Sequence, residues 1–80
     1  MMNELVNLCN TNENLGTRYH WYQENGVMYF LGFGLKGSFT FNEKTFEYEL
    51  VLDNKVLAKD QIEESDDIAY SCMRAIRKEI

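Results

Sequence analysis

Residues 19 to 35 read YHWYQENGVMYFLGFGL, two aromatic, β-prone segments joined by Asn25-Gly26. This stretch constrains the fold more than any other. Asn and Gly accept the positive φ values of a two-residue hairpin turn, and such a turn fixes the register of the strands it joins. Glu24 then faces Val27, Tyr22 faces Tyr29, Trp21 faces Phe30 and Tyr19 faces Gly32. Because side chains alternate across a strand, Tyr19, Trp21, Met28 and Phe30 share one face, and Tyr22, Val27, Tyr29 and Leu31 share the other.

The glycines that follow raise a competing reading. GFGLKG, Gly32 to Gly37, has the spacing G-x-G-x-x-G of a phosphate cradle. A dinucleotide site needs those glycines to open a helix whose free N–H groups hold a pyrophosphate, whereas here SFTF follows, which reads as a strand. The RNA-recognition signature sets Gly-aromatic-Gly between a basic residue and a second stacking ring, and this chain has Leu31 and Leu35 at those positions. Strand pairing accounts for the glycines better. A two-residue turn at Lys36-Gly37 sets Gly34 opposite Phe39 and Gly32 opposite Phe41, small residues beneath large rings. The same register turns Phe33 and Leu35 outward beside Tyr22, Val27, Tyr29 and Leu31, with Arg18 and His20 nearby.

SFTF and TFEYELVL form a second hairpin around Asn42 to Thr45, and DNK offers a turn into VLA, a marginal fifth strand. Phe39, Phe41, Phe46, Tyr48, Leu50 and Leu52 extend the Trp21–Phe30 face, while Ser38, Thr40, Glu47 and Glu49 lie on the other. MMNELVNLC makes a helix of two turns at most, with Leu5, Leu8 and Cys9 on one side, and NTNENLG reads as a loop. The last element is a helix from about Ser65, the N-cap, with Asp66 and Asp67 in its positive first turn and Arg74, Arg77 and Lys78 near its negative end. Ile68, Ala69, Cys72, Met73, Ile76 and Ile80 recur at helical spacing, a stripe suited to covering a sheet. The expected fold is a single α+β domain over residues 1–80: an antiparallel sheet of four to five strands, the C-terminal helix packed on one face, and a short N-terminal helix. A small β-barrel is the alternative.

Eighty residues with 13 acidic and 8 basic side chains, net charge −5, oppose attraction to phosphate backbones or anionic lipid and favour a basic protein partner. No run is long enough to span a membrane and the first fifteen residues carry no Lys or Arg, so the expected location is the cytoplasm. Cys9 and Cys72 have no further Cys or His at ligand spacing and read as reduced, packed thiols. His20 is the sole histidine and no nucleophile is tied to it, so neither catalytic, metal nor cofactor residues are assigned.

Two features remain for function. The acidic run KDQIEESDD places Asp60, Glu63, Glu64, Asp66 and Asp67 close together, a surface for a basic partner. The outward patch around Tyr22, Tyr29 and Phe33 is larger than a soluble monomer usually exposes, and its residue types are those of binding hot spots. The N-terminal helix is available to cover it through Leu5, Val6 and Leu8; otherwise a homodimer or a foreign protein must. The reading is a non-enzymatic protein-binding module, compatible with a phage or mobile-element inhibitor of a host protein. A nucleic-acid binder using sheet aromatics and a small enzyme are the alternatives.

Overall fold

The computed structural model describes residues 1–63 and 66–80. Strands β1 (His20–Glu24), β2 (Val27–Gly32), β3 (Leu35–Phe41), β4 (Glu47–Leu52) and β5 (Lys55–Gln61) form one five-stranded antiparallel sheet in chain order. Helices α1 (Met2–Thr11) and α3 (Ile68–Glu79) bracket it in sequence, and a single turn, α2 (Leu15–Arg18), leads into β1. The α+β fold read from the sequence is the fold observed.

The first hairpin has the expected register, Glu24 with Val27, Tyr22 with Tyr29 and Trp21 with Phe30, around Asn25 (φ 54°) and Gly26 (φ 79°). The second turn is not at Lys36-Gly37. It falls at Phe33 (φ 54°) and Gly34 (φ 74°), so Gly32 pairs with Leu35 rather than Phe41 and Gly37 pairs with Phe30. An earlier turn lengthens β3 enough to give Leu52 at the end of β4 a partner, Gly37. The slip is an even number of residues, so both faces keep the strand residues assigned to them, but Leu35 now lies on the inner side and Phe33 leaves the strands. Asp53 (φ 52°) and Asn54 (φ 64°) make a third tight turn into β5, a full strand of seven residues. That turn pairs Leu52 with Lys55 and Val51 with Val56, and a bulge at Leu57 then shifts the register so that Leu50 pairs with Ala58.

Trp21, Met28, Phe30, Phe39 and Leu50 are buried on the inner face, with Tyr19, Phe41, Tyr48 and Leu52 half-buried around them. Phe46, expected in this core, sits in the β3–β4 connection at φ 61°, half-buried and 6.1 Å from the Phe41 ring. Gly37 leaves room for the Phe30 ring, and Gly32 lies under Tyr19 as expected, although Phe41 is not its partner.

Both helices pack on this same face. Leu5 and Cys9 of α1 join Ala69, Cys72, Met73 and Ile76 of α3 in one core with Trp21 and Phe30, so α1 does not cover the outer patch. It is longer than expected, at ten residues. Its last turn is tied to the sheet: Asn10 donates from Nδ2 to the Trp21 carbonyl (2.8 Å) and accepts from the Trp21 N–H at Oδ1 (2.9 Å). A side-chain amide thus supplies the open edge of β1 with the pairing another strand would give. Asn12 Oδ1 accepts from the N–H groups of Asn14 and Leu15 and starts α2, whose Leu15 carbonyl receives the Trp21 indole N–H at 2.9 Å. Helix α3 begins later than expected, with Asp67 as N-cap accepting from Tyr70 N–H at 3.0 Å; Ser65 lies outside the described residues.

Candidate interaction surface

Register carries side chains across the outer face in rows. The central row runs Tyr22, Tyr29, Ser38, Val51 and Val56, one residue from every strand. Beside it lie His20, Leu31 and Lys36 on one flank, and Glu24, Val27, Thr40, Glu49 and Lys59 on the other. Tyr22 stacks on Tyr29 at 5.6 Å and on His20 at 6.1 Å, and Lys36 Nζ sits 4.9 Å from the Tyr29 centroid. Lys59 approaches Glu49 at 3.9 Å, both partly in solvent. Leu31 and Val56 are exposed at 43% and 57%, and no helix lies over them.

Of the residues singled out from sequence, Tyr22 and Tyr29 stand at the centre of this face. Phe33 does not. It projects from the β2–β3 turn, 76% exposed, with its ring edge-on to Tyr19 at 5.8 Å. The acidic residues lie elsewhere: Asp60 points to the inner side at the end of β5, and Glu63, Asp66 and Asp67 follow in the connection to α3, with Glu64 outside the described residues. The aromatic and acidic groups therefore do not form one site. Asp67 is taken up by its capping bond, and the Asp60 carboxylate accepts from the Gln61 N–H at 2.8 Å. An open groove of about 640 Å³ between β5 and α3, lined by Tyr48, Asp60, Ile62, Glu63, Arg74 and Lys78 among others, carries charges of both signs.

Val51 and Val56 escaped the sequence reading. The tight turn at Asp53 and Asn54 sets Val56 opposite Val51 on the outer side, and the short VLA segment is too slight to show it from the sequence. For chemistry the geometry is unhelpful. His20 is on the outer face while Cys9 and Cys72 are in the core, so no Cys–His pair forms. Burial pushes both thiols up to about 12, with the charge of Cys72 adding to the effect on Cys9. Among the described residues no group of three or more His, Cys, Asp or Glu side chains is placed to hold a metal ion, and no helix is long and apolar enough to cross a membrane.

No protein-family model, curated protein or solved structure matches this chain.

Proposed function

We propose that this chain is a non-enzymatic protein-binding module whose contact surface is the open outer face of the sheet. One observation carries the reading: a row of Tyr22, Tyr29, Val51 and Val56, with Ser38 at its centre, crosses the five strands on the face opposite both helices. Half-buried to exposed aromatic and aliphatic side chains with no element over them, rings at one end and charges along the rim, have the make-up of a binding patch rather than of an ordinary solvated sheet face. Inhibition of a host protein is one role such a module can serve. The acidic groups of residues 60–67 offer a separate contact for a basic partner.

Tyr22→Asp combined with Tyr29→Asp tests the proposal. Both side chains lie on an uncovered face, so the variant should keep the wild-type circular dichroism spectrum. It should also lose any protein that wild type retains in affinity capture from the source cells. Capture that is equal for wild type and variant would refute the outer face as the contact surface.

A further inference from the structure

We propose that the occupant of the outer face is a second copy of this chain, packed sheet against sheet about a two-fold axis that runs parallel to the strands through β3. This rests on the protein-binding reading above and names its partner. The argument is one of shape. The central row is bulky at one end, where Tyr22 and Tyr29 stand on β1 and β2, and small at the other, where Val51 and Val56 stand on β4 and β5, with Ser38 between them. A two-fold axis along β3 lays β1 over β5 of the second copy and β2 over β4. Tyr22 then meets Val56, Tyr29 meets Val51, and Ser38 meets its own copy. Each tyrosine is thus set against a valine, and only on the axis itself do two small groups meet, so bulk is spread evenly across a sandwich about 10 Å thick.

The other in-plane two-fold axis, perpendicular to the strands, fails on the same grounds. It sets Tyr over Tyr at one end and Val over Val at the other, so the sheets would be wedged apart on one side and leave a void on the other.

Charge agrees with the first arrangement. Glu24 on β1 comes over Lys59 on β5 of the second copy, and Lys59 then lies between Glu24 and its own neighbour Glu49, 3.9 Å away. Lys36 falls near its own copy at the rim, but its ammonium group is drawn sideways over the Tyr29 ring. Area is sufficient. Five strands ~4.8 Å apart, with rows ~6.8 Å apart along each strand, make a face on the order of 500 Å² per copy. The pair would bury about 1,000 Å² in total, the threshold for a specific interface.

Analytical ultracentrifugation of the whole chain over a wide concentration range should show a reversible monomer–dimer equilibrium. Val51→Tyr, which sets ring against ring opposite Tyr29, should abolish the dimer and leave the circular dichroism melt intact. Glu24→Lys and Lys59→Glu should each weaken self-association by about tenfold, because each sets like charges together twice. An equimolar mixture of the two should recover it as a heterodimer, since every Lys then meets a Glu. A wild type that stays monomeric at the highest concentration overturns the proposal, and so does a dimer indifferent to both Val51→Tyr and mixing. A monomeric wild type that still loses a captured protein through Tyr22→Asp and Tyr29→Asp would overturn only the second copy, leaving protein binding in place.

Discussion

Gly37→Ala separates the pairing observed here from the one the sequence favours. A Cβ built on Gly37 would stand 2.1 Å from Phe30 Cζ and 2.5 Å from both Cε atoms. Carbon atoms in ordinary contact are ~3.5 to 4.0 Å apart, so the ring would have to retreat by roughly 1.5 Å. It has nowhere to go: Phe30 is fully buried, stacked on Trp21 at 4.4 Å and edge-on to Tyr19 at 5.1 Å. Overpacking a well-filled core costs about 1 to 3 kcal/mol. Replacing Gly at an unstrained position recovers about 0.4 to 1 kcal/mol by restricting the unfolded chain. The clash wins, and the expected net loss is about 1 to 2 kcal/mol, a large share of the stability of a domain this small.

Urea denaturation at fixed pH measures that loss, and a double-mutant cycle assigns it. In a Phe30→Leu background the ring is gone, so the cost of Gly37→Ala should shrink by at least about 0.5 kcal/mol, the lower bound for coupled neighbours. With the turn at Lys36-Gly37, Gly37 would sit at an open hairpin tip with no ring over it. A Gly37→Ala variant within about 0.5 kcal/mol of wild type, or an equal penalty in both backgrounds, would refute the placement of Phe30 over Gly37.

Three further outcomes follow from the core and the contacts around it. Both thiols should resist alkylation in the native state and react together on unfolding, because each is buried and held protonated. Their folded-state values are raised from 9.0 to about 12, so the stability they contribute is intact below pH 9 and is lost as pH climbs from 9 toward 12. Cys72→Ala should flatten that alkaline decline, read as melting temperature against pH. Asn10→Ala removes both bonds to Trp21 and should cost about 1 to 3 kcal/mol, with faster hydrogen exchange at the Trp21 amide; an unchanged exchange rate would show that α1 does not clamp the edge of β1.

What was legible in the sequence divides along a physical line. Asn25-Gly26 fixed its hairpin because both residues suit the turn and alternating aromatic residues flank it. Phe33-Gly34 was hidden because a phenylalanine at positive φ is uncommon, and Lys36-Gly37 looked equally able to turn. Strand length carried the missing signal, since a β3 starting at Ser38 would have left Leu52 at the end of β4 without a partner. Periodicity showed the apolar side of α1 but not which face of the sheet it would choose. Asn10 and Trp21 make that choice through a contact eleven residues apart that no local pattern announces. For the candidate surface, the aromatic half was readable from the first hairpin, and the valine half depended on the Asp53-Asn54 turn leading into a full fifth strand.

The edges of the sheet bear on which surface is left for association. An open edge strand offers unpaired N–H and C=O groups and invites growth by strand addition. At β1 the Asn10 amide already occupies the pairing groups of Trp21, and α1 stands beside them. At β5 the bulge interrupts the regular spacing of those groups, and Lys55 and Lys59 place charge along the strand. Strand addition is thus impeded at both ends, while the outer face carries only a rim of charges that can themselves be paired. Association through that face leaves Asp60, Glu63, Asp66 and the basic side of α3 turned away, because they lie on the inner side or beyond it. A chain built this way can bind by its outer face and still present an acidic connection to a different, basic partner, which is why charge reversal at Glu63 and Asp66 should leave self-association unchanged.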